Sequence, residues 1–479
     1  LGNAEFERHE KVDAMMEKEH MSVSNDYVIR VVDSPLAVDA HAWDALLFAQ
    51  SQPTPFMRHA FLSALHTTGC ATTATGWTPR FFLLERQGKL QAGCAIYIKS
   101  HSQGEFVFDW GWARAYHQHG LSYHPKAVCA VPFIPVPGSR LLAHTSEDRV
   151  ALVNSVLDWC AANQLTGLHA LFASDDDVQA LTQAGLLLRH TIQFHWSNRQ
   201  PGYASFDDFL ASLSQEKRKK IRQERRKVAE AGVTFRVLEG PAIAPEDWAF
   251  FYHCYERTYL EHGNPPYFNR AFYQHMASYM PEDWVLFIAE REGRPIAASL
   301  LAINASSVRA RGQNDIELAA NQDGAAVTKT TSTTERVAYG RYWGALERVD
   351  CLHFEACYYQ PLQWCIEHGY QRFEGGAQGE HKLARALLPV TTTSAHWLAH
   401  PQFFAAVDNF LTREREGMGE YVEELVRHSP FKLHSQRIST SHTTGETLEV
   451  DLKETLQKSP ADLCNYSAPN GSESEFATK

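Results

Sequence analysis

Residues 337–397 read VAYGRYWGALERVDCLHFEACYYQPLQWCIEHGYQRFEGGAQGEHKLARALLPVTTTSAHW. The first ten residues alternate as a strand does, which puts Tyr339, Arg341 and Trp343 on one face and Tyr342 on the other. A helix over 354–369 follows and closes at Gly369, a natural left-handed cap. It carries Glu355 and Tyr359 one turn apart, so both project from one side. Pro361 removes an amide donor from this helix and predicts a kink. Next come a short strand, YQRFEGG, and a polar loop running from Gly375 to Lys382. Strand, helix and strand in this order build a mixed α/β sheet flanked by helices.

The loop places a carboxylate, an imidazole and an ammonium in succession at Glu380, His381 and Lys382. Gly375, Gly376 and Gly379 ahead of them let the backbone approach a ligand. Arg341, His353, Glu355 and Gln378 are expected to converge on the same end of the sheet. The plain alternative is that the three loop charges are simply solvated.

Outward from this stretch the chain repeats itself. RFFLLERQGKLQAGCAIYIK (80–99) and LFIAEREGRPIAASLLAI (286–303) both read as strand, turn, strand, with near-copies at the turn, Glu85–Lys89 and Glu290–Arg294. The two turns lie 205 residues apart (85 to 290), which favours a duplicated domain. Helical stretches surround each hairpin, and WSNRQPGYAS at 196–205 reads as the joint between halves. The expected layout is a mobile segment over 1–27, a first domain over 28–200 and a second over 201–431. Within the second, 304–337 is polar and lacks steady periodicity, and reads as an insertion or a functional loop. The stretch 432–479 is poor in apolar residues and reads as a disordered tail. Met21 is an alternative start.

Composition narrows the classes. The 479 residues are 44% hydrophobic and 21% charged, as in a globular protein large enough for two cores. A net charge of −11 argues against wholesale coating of nucleic acid. No run approaches the roughly 18 apolar residues of a membrane span, and the first twenty residues lack the apolar core of a signal peptide, so a cytoplasmic protein is expected. Nine cysteines stand singly, without a CxxC pair, and read as buried or incidental thiols. The histidines at 101, 117, 119, 124 and 195 read as structural hydrogen-bonders, and no metal site is expected.

Against this acidic background, residues 217–227 hold eight basic residues on a predicted helix. Lys217, Arg218, Arg222 and Arg225 form a candidate site for phosphate or an acyl donor, with Arg218, Arg222 and Arg225 near one face. A solvated face is the alternative. Interleaved aromatics, which would stack on single-stranded bases, are missing.

The 337–397 block closely resembles the FemAB-like branch of the GNAT superfamily, described as peptidoglycan biosynthesis/recognition. The resemblance rests on YGRYWG at Tyr339–Gly344, LHFEACYYQ at Leu352–Gln360, FEGGAQGEHKLAR at Phe373–Arg385 and SAHW at Ser394–Trp397. Upstream stretches fit too, among them GWTPRFFLLE, QFHWSN and FLASLSQEKRKKIRQERRKV, so the likeness spans roughly 40–431. It implies two tandem GNAT-like domains and an acyl- or aminoacyltransferase acting on the amine of a small molecule or cell-wall precursor. In better-understood relatives the second domain transfers an aminoacyl group from a charged tRNA, and the lysine that contributes to this matches Lys382. With Lys382 on the developing negative charge and Glu380 or His381 as proton acceptor, Arg341, Trp343, His353, Glu355, Tyr359, Gln378 and Arg385 are candidates to bind substrate. No tightly bound cofactor is expected. The donor is acyl-CoA or aminoacyl-tRNA, with tRNA a candidate partner. GALERVDCLHFEA has no glycine after Gly344 and carries Glu347 and Asp350, unlike the glycine-rich loop that cradles CoA pyrophosphate. The competing reading is a non-catalytic GNAT-fold protein that binds a cell-wall or nucleotide-linked ligand.

Overall fold

Both repeated hairpins close on the same two-residue turn. Gln87 and Gly88 have φ of 52° and 72°, and Glu292 and Gly293 have 52° and 71°. A turn with both φ values positive matches the twist of paired strands, and glycine at its second position adopts it without strain. The computed structural model describes residues 27–305, 335–377 and 379–432. Most of the expected N-terminal segment, insertion and tail lie outside the described residues, as do Gln378 and the side chain of Glu380.

The first half runs β1 (Tyr27–Val32), α1 (Ala40–Phe48), α2 (His59–Thr67), the hairpin β2 (Trp77–Arg86) and β3 (Lys89–Lys99), α3 (Trp110–Gln118), β4 (Lys126–Cys129), β5 (Leu141–Ala143), α4 (Ser146–Ala162), β6 (Gly167–Ala173), α5 (Asp175–Gln183) and β7 (Leu187–Ser197). The second runs α6 (Phe206–Ser212), α7 (Gln215–Glu230), β8 (Val233–Glu239), α8 (Pro245–Glu261), α9 (Arg270–Tyr279), the hairpin β9 (Trp284–Arg291) and β10 (Arg294–Ile303), β11 (Val337–Ala345), a helix α10 over 352–367, β12 (Arg372–Ala377), β13 (Leu388–Leu398) and α11 (Pro401–Arg427).

The pairing repeats as the sequence does. An antiparallel edge strand lies on each hairpin, and each hairpin leads to an antiparallel strand that pairs in parallel with the next, β4 with β6 and β11 with β12. The last strands are exchanged. β13, from the end of the chain, lies on β6 of the first half, while β7 lies on β12 of the second. β7 and β13 also pair with each other from Leu388↔His195 to His396↔Leu187. One thirteen-stranded sheet therefore runs across the 196–205 joint, in the order β1-β2-β3-β4-β6-β13-β7-β12-β11-β10-β9-β8 with β5 beside β3.

One face of this sheet carries a core shared by both halves. Phe61 of α2 packs edge-on against Phe272 of α9 at 5.2 Å, and Phe56 against Tyr339 of β11 at 5.4 Å. The other face holds separate cores, among them one around α4 and one around α6, α7 and α10. Among the described residues no helix is long and apolar enough to cross a membrane.

Gly344 is where α8 crosses β11. A Cβ there would stand 1.9 Å from the Cys254 carbonyl oxygen, a backbone atom that cannot swing aside. Gly344→Ala should therefore destabilise by about 3 kcal/mol, the upper range of overpacking. Gly417→Ala, in an open stretch of α11, should leave the melting curve unchanged or slightly raised. Equal melting of the two variants would contradict this packing.

Candidate functional site

β11 and β12 pair at only three positions, Val337↔Arg372, Ala338↔Phe373 and Tyr339↔Glu374, and part beyond them. Each strand carries an extra residue at the point of parting. On β11 the register to β10 passes from Leu301↔Gly340 to Leu300↔Tyr342, leaving Arg341 unpaired as a bulge. On β12 the register to β7 passes from Glu374↔His195 to Ala377↔Gln193, so Gly375 and Gly376 stand opposite one residue. The bulge corrects the expected alternation: Tyr339 and Tyr342 share one core, while Trp343 lies with the opposite cluster, its ring 5.5 Å from that of His353. One added residue shifts the phase of every side chain after it.

Lys382 reaches into this parting from a short 3-10 turn, Glu380–Arg385. Its Nζ is buried and donates to the Gly376 carbonyl at 2.9 Å. Burial first, and the neighbouring Arg341 guanidinium second, push its pKa down to about 7, with Cys357 opposing. Gly376 separates the two cations. It has φ of 81°, and a Cβ there would lie 3.4 Å from Arg341 Nη1. Arg341 donates through Nη2 to the Phe133 carbonyl at a long 3.4 Å, and its buried Nε meets no acceptor among the described residues. His381 shares a hydrogen bond with the Tyr358 hydroxyl at 3.1 Å, and burial lowers its pKa to about 4, so the ring is neutral at pH 7. His353 packs edge-on against Tyr358 at 5.8 Å.

The expected kink at Pro361 takes the form of a π turn. The Gln360 amide bonds to the Glu355 carbonyl five residues back, and the Ala356 carbonyl accepts from the Ser299 hydroxyl at 2.6 Å. That side-chain donor occupies an acceptor that Pro361, lacking an N–H, cannot serve.

Glu355 and Tyr359 are engaged with α7. Arg225 Nε donates to Glu355 at 3.1 Å, its Nη2 to Gln363 at 3.0 Å, and its guanidinium covers the Phe206 ring. Tyr359 donates to Glu224, which also accepts from Arg385 at 3.1 Å. Arg385 donates in turn to the His381 carbonyl at 2.7 Å and lies over the Phe354 ring. The buried edge of α7 thus fastens α10 and the Lys382 turn together. Its outer face is different: Gln215, Arg218, Lys219, Arg222, Gln223 and Arg226 line a shallow, open depression. Arg222 pairs there with exposed Asp207 at 3.2 Å and Lys217 with Glu216 at 3.3 Å.

The structure therefore gathers Lys382, His381, Arg341, Trp343, His353 and Arg385 around the parting, and sets Arg218 and Arg222 on a separate outer surface. Glu374, which sequence reasoning passed over, is buried beside it. Its carboxylate accepts from Arg372 at 3.1 Å, its Oε2 has no hydrogen-bond partner among the described residues, and burial raises its pKa. A carboxylate inside an otherwise buried strand, FEGG, was the available signal. The loop after β11 holds Glu347 against Arg291 and Asp350 3.8 Å from Lys227.

The sequence model of the FemAB-like family, described as peptidoglycan biosynthesis/recognition, matches residues 34–312 and 306–433. The chain belongs to the FemAB-like family. Its two matched segments meet at the expected insertion, and the fold is a large mixed sheet flanked by helices. This FemAB-like chain is similar in fold to FemX, with 10% identity over 79% of this chain and 100% of that one and a TM-score of 0.46. It is also similar to L-PGS from Bacillus licheniformis, with 12% identity over 78% and 97% and a TM-score of 0.43. A tandem GNAT protein from the clavulanic acid biosynthesis pathway shares 10% identity over 78% and 99%, with a TM-score of 0.37. No curated protein matches the FemAB-like sequence.

Proposed function

We propose that this FemAB-like protein is an acyl- or aminoacyltransferase that moves an activated acyl group onto the amine of a cell-wall precursor at the parting of β11 and β12. The observation that carries this reading is the buried amine of Lys382, held 2.9 Å from the Gly376 carbonyl between two bulged strands with a pKa near 7. An amine balanced between its two forms exchanges protons at neutral pH. The acceptor nitrogen attacks the acyl carbonyl, the C–N bond forms, and neutral Lys382 takes the proton released. The resulting ammonium faces the oxyanion it helped to create, and expulsion of the donor's thiol or hydroxyl, with return of the proton, completes the transfer. His381, held by Tyr358, orients the turn. The test offers aminoacyl-tRNA and acetyl-CoA with muramyl peptide acceptors and follows products by mass spectrometry. Stoichiometric ligand binding with no turnover from either donor would favour the non-catalytic binder instead.

For the donor, a phosphate-rich molecule such as aminoacyl-tRNA suits the outer face of α7 better than CoA suits the loop after β11. That loop has no glycine between Ala345 and Cys351, and its acids are paired within the protein. Arg225 is excluded from the donor test because its guanidinium holds Glu355. Reversing Arg218, Arg222 and Arg226 to Glu should weaken tRNA binding about tenfold or more and shrink its salt slope by roughly one per lost contact. Calorimetry at two salt concentrations measures both. Micromolar acetyl-CoA binding insensitive to these changes, without tRNA binding at low salt, would overturn the tRNA donor.

A further inference from the structure

Arg341 is a half-buried cation whose buried Nε its own protein leaves incomplete. Among the described residues its Nε has no acceptor, and its Nη2 has one long contact to a carbonyl. Among the described residues no carboxylate forms an ion pair with it, and Glu374, close enough to feel its charge, is bonded to Arg372. Leaving a guanidinium edge unsatisfied costs free energy unless a ligand completes it. Nε and Nη2 lie on one edge of the group, the fork that matches two oxygens of a carboxylate.

The first half brings the Phe133 carbonyl to this edge, and a row of aromatic rings from both halves extends from Phe133. Phe133, whose carbonyl faces Arg341, stacks flat on Tyr267 at 4.6 Å and 14°, and Phe106 stands edge-on to Tyr267 at 6.4 Å. Phe106 and Phe133 both hold left-handed backbone, φ 61° and 66°, a conformation bulky residues adopt only when their surroundings impose it. The imposing contacts are present. Lys126, fully buried, donates to Glu105 at 2.8 Å and to Asp109, and Tyr123 donates to Asp109 at 2.6 Å, fixing the segment that carries Phe106. Bare Gly104 makes room for the Phe133 ring, which a Cβ would meet at 2.7 Å.

We infer that Arg341 and the aromatic wall of Phe133, Tyr267 and Phe106 form a subsite for a free carboxylate on the acyl acceptor, so that the acceptor is an amine-bearing amino acid or peptide with its carboxylate exposed. This rests on the transferase reading for the word acceptor, though the subsite itself is defined by binding. A diphosphate would demand more cations than an aromatic wall supplies. The carboxylate, anchored at Arg341 across Gly376 from Lys382, would hold the attached amine toward the transferring acyl group.

The test measures binding of N-acetyl-lysine and of its amide, N-acetyl-lysinamide, to the full chain by saturation-transfer NMR and calorimetry. The free acid should bind about tenfold or more tightly than the amide. Arg341→Gln should abolish that preference, Arg341→Lys should restore part of it, and Tyr267→Leu should weaken both probes while keeping the preference. Equal binding of acid and amide, no binding of either at millimolar concentration, or tighter binding of phosphoethanolamine than of the free acid overturns the subsite. A retained preference in a folded Arg341→Gln protein does so as well. Carboxylate selection without acyl transfer would sink the transferase reading and leave the subsite standing. Transfer that ignores the carboxylate would do the reverse.

Discussion

Lys382→Ala lowers acyl transfer by about tenfold to a thousandfold, the range for losing a proton-transfer group together with an oxyanion contact. The expected lesion is in kcat rather than KM, because the amine acts on the reacting atoms and not on the remainder of the ligand. The protein itself should persist. Removing Nζ leaves the Gly376 carbonyl without that donor, a cost of about 1–3 kcal/mol for a buried group. Single-turnover kinetics read the rate and circular dichroism the fold. Wild-type rates would remove Lys382 from the chemistry, and loss of folded protein would make it a structural residue.

Cutting the chain at residue 200 has an effect of similar size on folding. The fragment 27–200 loses β13, which covers β6 and β7 in the intact protein, while 201–432 loses β7, the neighbour of β12. Each fragment would expose long unpaired strand edges and half of the core shared through Phe61 and Phe272. Expressed alone, each should aggregate, and expressed together they should recover a soluble complex. A monomeric 27–200 that melts cooperatively would contradict the exchanged-strand arrangement.

What could be read in the sequence was local. The twin hairpins were legible because a two-residue turn with positive φ writes itself in a glycine next to a polar residue, at 87–88 and 292–293. The segment after β12 stood out because three consecutive titratable groups behind a run of glycines are unusual after a buried strand. The bulge at Arg341 was not legible. Alternation in VAYGRYWGA looks regular, and the extra residue is defined only by the pairing of β11 with β10. The exchange of β7 and β13 was hidden for the same reason: partners about two hundred residues apart leave no local periodicity. In the basic helix, Arg218, Arg222 and Arg225 share a stripe. Which of them faces protein depends on Glu355 and Phe206, far away in sequence.

The acid–base role of Lys382 has a direct signature. Its pKa near 7 means that the neutral, proton-accepting form grows as pH rises through neutrality, so kcat/KM should climb and level off above an apparent pKa of about 7. Arginine at the same place stays protonated throughout, so Lys382→Arg should lower the rate and remove the limb. The decisive measurement is therefore the pH–rate profile of acyl transfer from pH 5.5 to 9 for the wild type and Lys382→Arg. A limb near pH 7 present in the first and absent in the second supports Lys382 as the proton acceptor, and a wild-type profile flat across that range, or a limb retained in Lys382→Arg, contradicts it.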